Sequence, residues 1–102
     1  ECSNCHLLEK DAKRTGERPR RPGPRLWGVV GRKIASQEFA YTEAMIELSG
    51  SWTFEQLNAF LADPAGTVPG TEMFDGYVKN RTERIALIAY LRTMADDPIP
   101  LP

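Results

Sequence analysis

Residues 2–6 read Cys2-Ser3-Asn4-Cys5-His6, and no other short stretch of the 102-residue chain restricts the fold as strongly. Cysteines three apart, followed at once by histidine, are the attachment pattern for a c-type haem. The spacing has a physical reason. On one helical turn both thiols lie on one side, where they can add to the two vinyl groups of a haem, and the next residue swings its imidazole under the iron. The competing reading is a redox pair or an incidental pair of thiols. A redox Cys-x-x-Cys follows a strand in a βαβ setting, whereas only Glu1 stands before Cys2 here.

The rare residues narrow the chemistry further. His6 is the only histidine, and Cys2 and Cys5 are the only cysteines. A four-cysteine iron–sulfur cluster, a disulfide framework and histidine-pair chemistry are therefore excluded within this sequence, and a zinc site would lack its fourth ligand. A haem iron held by His6 needs a sixth ligand to shuttle electrons, and without a second histidine a methionine thioether is the natural candidate. The chain offers Met45, Met73 and Met94. Met94 falls on a helical pattern and Met45 in a short helical stretch. Met73 falls in the loop Pro69-Gly70-Thr71-Glu72-Met73, which can carry a thioether to a flat ring, and it is favoured on that context.

The length suits one domain. No apolar run approaches the ~20 residues of a membrane span, and no secretory signal is evident. A helical stub to about Leu8 is expected to carry the attachment site. Residues 9–40 show little periodicity and hold Pro19, Pro22 and Pro24. Such a stretch must pack on something, and a haem face is a suitable something. Three helices follow. Thr42 can cap the first, with Gly50 ending it. Thr53 and Gln56 form a capping-box pattern for the second, which Asp63-Pro64 stops. The third starts near Asn80, with Leu87, Tyr90, Leu91 and Met94 at helical spacing. The reading is an all-α haem domain over residues 1–97 and an extended proline-rich tail over 98–102, with no strand.

Taken in order, these motifs resemble a bacterial class I cytochrome c over nearly the whole chain. The attachment site, Gly23-Pro24-Arg25-Leu26-Trp27-Gly28-Val29-Val30-Gly31-Arg32, Phe39-Ala40-Tyr41-Thr42 with Trp52, Pro69-Gly70-Thr71-Glu72-Met73, and Leu87-Ile88-Ala89-Tyr90-Leu91 each match a family segment. The resemblance implies one covalent haem c, with Cys2 and Cys5 forming thioethers and His6 and Met73 as axial ligands to iron. It implies that the Pro24 carbonyl accepts a hydrogen bond from His6, and that Arg32, Tyr41 and Trp52 hold or neutralise the haem propionates. Without the resemblance, Arg32 reads as surface charge and the two aromatics as core.

Some positions depart from the family. Phe60 stands where many members carry tyrosine, and Met45 where many carry asparagine. The stretch between His6 and Pro24 is longer than in the mitochondrial type, which favours a bacterial member. Members normally begin with a helix that crosses the C-terminal one. The reading therefore expects residues upstream of Glu1, an anchor or membrane tether among the options, or a partner subunit over the face of Leu87, Tyr90, Leu91 and Met94.

Charge is unevenly spread. Residues 10–33 hold nine basic side chains against Asp11 and Glu17, a net of +7, while the rest hold four basic and twelve acidic ones, a net of −8. The basic stretch reads as a docking surface for acidic protein partners, ahead of a plain solvated loop, and not as a nucleic-acid site. Charge reversal at Arg18, Arg20 and Arg21 is expected to slow reduction by such a partner at low salt. The functional expectation is an electron carrier, not an enzyme. From the resemblance its donor would be a quinol–cytochrome c reductase or dehydrogenase, and its acceptor an oxidase, a reductase or a photosynthetic reaction centre. Two other readings stand beside it: the haem domain or subunit of a larger redox enzyme, and a ligand-binding or catalytic haem with a labile Met73. The expected location is the periplasm, with the mitochondrial intermembrane space as the alternative.

Overall fold

A computed structural model describes Cys2 and residues 5–10, 23–37 and 39–101. Arg18, Arg20 and Arg21, on which the docking reading rests, lie outside the described residues. Four helices appear in the order α1 (Glu43–Glu47), α2 (Phe54–Ala62), α3 (Pro64–Thr67) and α4 (Arg81–Thr93). Among the described residues extended pairing is confined to an isolated antiparallel bridge between Lys33 and Ser51. The class is all-α, as the periodicity implies.

Helix starts follow the capping chemistry. The Thr42 hydroxyl accepts the Met45 N–H, the Thr53 hydroxyl accepts the Gln56 N–H, and the Asn80 side-chain oxygen accepts the Glu83 N–H. Each satisfies one of the N–H groups a helix start leaves unpaired. The helix ends differ more from expectation. α1 stops at Glu47 and not at Gly50, because Leu48 is already extended, with its N–H bonded to the Met45 carbonyl. Asp63-Pro64 ends α2 but also begins α3: the Asp63 carboxylate accepts the Gly66 N–H, and Pro64 occupies the first helical turn, where its missing N–H costs nothing.

The core is built where α2 packs on α4. Leu57, Phe60 and Leu61 of α2 and Ile88 and Leu91 of α4 are buried together with Val29, Val30, Ile34, Trp52, Val68 and Met94. On α4 the buried stripe is shifted from the expected one. Leu91 and Met94 are inside, but Tyr90 is 58% exposed and Ile88 takes the inner position. Arg84 accounts for the shift, because it shares the buried stripe and reaches towards α2. Its Nε donates to the Asn58 side-chain oxygen, and its Nη1 donates to the carbonyls of Val78 and Lys79 at 3.0 and 3.1 Å. A cation that periodicity would place outside thus ties α2, α4 and the segment entering α4.

The segment after α4 returns to the loop 23–34. The Gly28 N–H donates to the Met94 carbonyl at 2.7 Å, and the Ile99 side chain packs against the core. Lys10 lies 2.9 Å from the Asp96 carboxylate, which also accepts from the Trp27 indole at 3.3 Å.

Two outcomes follow from these contacts. Arg84→Ala leaves the part-buried hydrogen bonds to the Val78 and Lys79 carbonyls and to Asn58 without their donor, and should cost ~3 kcal/mol in denaturant unfolding. Lys10 and then Trp27 hold the Asp96 carboxyl below its ordinary range. Their stabilising effect is therefore full above the ordinary carboxylate value and lost as the pH falls through the lowered one. An NMR titration of the Trp27 indole N–H should show that lowered midpoint, and Asp96→Asn should abolish it.

Candidate haem-binding site

One helical turn carries the attachment motif. The Cys5 and His6 N–H groups both donate to the Cys2 carbonyl, at 3.2 and 2.9 Å, which stacks the two cysteines and the histidine on a single turn. Both cysteines are half-buried thiols. A lone turn does not hold itself together, and here a second segment supports it. The Gly23 N–H donates to the Cys5 carbonyl at 2.8 Å, and the Leu26 N–H donates to the Leu7 carbonyl at 3.0 Å. Between these two bonds the His6 Nδ1 lies 2.6 Å from the Pro24 carbonyl oxygen. A carbonyl can only accept, so Nδ1 carries the proton and Nε2 keeps the lone pair that a metal would take. Gly23 lies flat against this ring. A Cβ built there would stand 2.6 Å from His6 Nδ1 and 2.8 Å from Nε2.

A second group forms around Arg32. The Trp52 N–H donates to the Arg32 carbonyl at 2.8 Å, and the Gly31 N–H donates to the Trp52 carbonyl at 2.8 Å. The Arg32 guanidinium is half-buried, donates to the Trp27 carbonyl at 3.2 Å, and meets no carboxylate among the described residues. Burial lowers its pKa, and the neighbouring Tyr41 offsets part of that. The Tyr41 hydroxyl accepts the Gln37 N–H at 3.0 Å, which leaves its own proton to donate. The Trp52 ring is 7% exposed and tilts against Phe60 at 5.3 Å, and its indole N–H has no acceptor among the described residues. A half-buried cation and two unspent donors suit carboxylate groups arriving from a cofactor.

Met73 stands on a third segment, the turn between α3 and α4. Its N–H donates to the hydroxyl of Thr71, which is buried, and its side chain packs half-buried against the core. Met45 sits in α1 and Met94 is a buried cap of α4. The structure thus gathers Cys2, Cys5, His6 and Pro24 into one group and Arg32, Tyr41 and Trp52 into another. No hydrogen bond or ring contact joins Met73 to either group among the described residues.

Sequence reasoning did not find Thr71, Arg84 or the tight contact at Gly23. A threonine two residues before the ligand candidate is a recognisable local turn signal. The other two need the fold.

No protein-family model matches the chain. The chain is 41% identical over 103 residues to a cytochrome c homolog of Bradyrhizobium diazoefficiens, covering 99% of this chain and 53% of the relative. It is 37% identical over 92 residues to a cytochrome c of Gibberella zeae, covering 89% of this chain and 81% of the relative. It is 35% identical over 94 residues to a cytochrome c of Tetrahymena pyriformis, covering 92% of this chain and 79% of the relative. The chain spans about half the length of the bacterial relatives it matches.

Gly23→Ala should push the His6 ring off the Pro24 carbonyl and cost about 1–3 kcal/mol by overpacking. Denaturant unfolding of the haem-loaded protein measures it, and an unchanged midpoint would show that the ring has room to give.

Proposed function

Since this chain belongs to the cytochrome c family, we propose that it passes single electrons between redox proteins through one covalently attached haem c. The observation that carries the reading is the bond from His6 Nδ1 to the Pro24 carbonyl beside two cysteines on the same turn. It fixes the imidazole plane and directs the Nε2 lone pair, which is what an axial ligand requires. Haem c supplies a one-electron couple, and histidine–methionine ligation raises its potential.

In this reading Cys2 and Cys5 provide the thioethers, and His6 and Met73 the axial nitrogen and sulfur. Pro24 holds the imidazole. Arg32, Tyr41 and Trp52 receive the propionates, and their geometry supports this: a half-buried guanidinium with no carboxylate among the described residues, a phenol proton to spare, and an unspent indole N–H. Phe60 backs Trp52 with an apolar ring and offers the sulfur no hydroxyl. The residues needed are ligands and dipoles; no general acid, base or nucleophile enters, so the chain is read as a carrier and not an enzyme.

The donor in this proposal is a quinol–cytochrome c reductase or a dehydrogenase, and the acceptor an oxidase, a reductase or a reaction centre. The location is the periplasm, with the mitochondrial intermembrane space as the alternative. Among the described residues no helix is long and apolar enough to cross a membrane. The greater length of the bacterial relatives favours a second reading, in which this is the haem domain of a longer redox protein.

The intact mass of the protein under denaturing conditions should exceed that of its polypeptide by one haem, and carbon monoxide should leave the spectrum of the reduced protein unchanged. A bare polypeptide mass would sink the proposal, and a rapid spectral shift would replace the carrier with a ligand-binding haem. Arg32→Gln should lower the midpoint potential by roughly tens of millivolts, because removing a nearby positive charge favours the ferric state. Its potential should also become more pH-dependent near neutrality, as a propionate that has lost its cation titrates higher.

A further inference from the structure

The described glycines divide by the reason a side chain is unwelcome. Gly28, Gly31, Gly50 and Gly70 have φ of +74, +87, +96 and +83°, a backbone that side chains disfavour. Gly23, Gly66 and Gly76 lie outside that region, and what distinguishes them is space. At Gly66 a Cβ would meet the Asp63 carboxylate, and at Gly23 the His6 ring. At Gly76 it would stand 2.8 Å from Met73 Cγ and 3.1 Å from Met73 Cε, while the nearest backbone atom, the Met73 carbonyl oxygen, is at an ordinary 3.4 Å. The group that has to yield is the Met73 side chain.

The loop around it is fastened on both sides. The Gly76 N–H closes the turn on the Met73 carbonyl at 3.0 Å, and the Val78 N–H donates to the Leu61 carbonyl of α2 at 2.7 Å. Arg84 holds the Val78 and Lys79 carbonyls, and Thr71 holds the Met73 N–H. With the backbone pinned, crowding at position 76 is relieved by rotating the methionine about its own χ angles, which moves the sulfur. We infer that Gly76 is a positioning residue for Met73: its missing side chain is the space in which the thioether keeps the conformation that presents its sulfur to the iron. The inference deepens the proposed function and rests on Met73 being the ligand.

The test uses haem-loaded protein with Gly76→Ala. The sulfur-to-iron charge-transfer band of the oxidised protein should weaken or vanish. The apparent affinity for added imidazole should rise about tenfold, since a competing ligand gains in proportion to the fraction of open iron. Gly66→Ala, which crowds the cap of α3 instead, should cost stability and leave both readouts unchanged. A Gly76→Ala protein with the parent's band and imidazole affinity overturns the inference. Should that variant assemble poorly, a double-mutant cycle decides. The stability cost of Ala at position 76 should disappear in a Met73→Ala background, and an equal cost in both backgrounds overturns the inference. If the parent protein itself lacks the band, the reading of Met73 as ligand falls, and this inference with it.

Discussion

The hydrogen bond between His6 Nδ1 and the Pro24 carbonyl, 2.6 Å long and spanning eighteen positions of sequence, is the contact on which the site depends. The turn at Cys2–His6 is far below the length at which a helix persists alone. It is kept by a second strand of backbone, with Gly23 bonded to Cys5 on one side of the histidine and Leu26 to Leu7 on the other. Because proline fixes its own φ, the accepting carbonyl has little freedom to wander. The imidazole is therefore held in one orientation, and its tautomer is set by an acceptor that cannot donate. The same segment runs on to Arg32, whose backbone pairs with Trp52, so the imidazole and the cationic group share one continuous support.

Helices supply the frame and loops supply the chemistry. α2 and α4 bury the apolar side chains, yet none of the candidate site residues lies on either of them. Placing function on loops carries an entropic cost of about 1–2 kcal/mol for each residue held in one conformation. The structure offsets this with side-chain and backbone hydrogen bonds from helix to loop. Arg84 reaches out of α4 to hold the far end of the Met73 loop, and the Leu61 carbonyl of α2 holds Val78. Val68, fully buried, anchors the near end. The methionine turn is thus a short span between fixed points.

Much of this was legible in the sequence, and the rest fails for definable reasons. Helix starts were readable because a cap is a local event: Thr42, Thr53 and Asn80 each act on an N–H three residues ahead. The family motifs bring Cys2, Cys5, His6 and Pro24 together, and Arg32 with Trp52, because each cluster is made by short segments whose residue types are rare. What escaped is tertiary in origin. α3 is a single turn, below the resolution of any periodic pattern. The inner stripe of α4 shifts because Arg84 finds Asn58 across the helix interface, a pairing that no spacing within α4 announces. The separate causes of the glycines were not legible in the sequence. A positive φ and a side chain pressing on an absent Cβ leave the same letter in the sequence.

The two arginines removed from solvent show how partner inventory separates structure from function. Arg84 is 8% exposed, and its donors are met by Asn58 and two backbone carbonyls. Its desolvation is compensated within the chain, so it is a fastener. Arg32 is buried enough for its charged form to be disfavoured, yet among the described residues it meets one carbonyl and no carboxylate. Tyr41 and Trp52 beside it each keep a proton to donate. In the proposed reading the propionates of the haem meet this charge, as its iron meets the fixed imidazole.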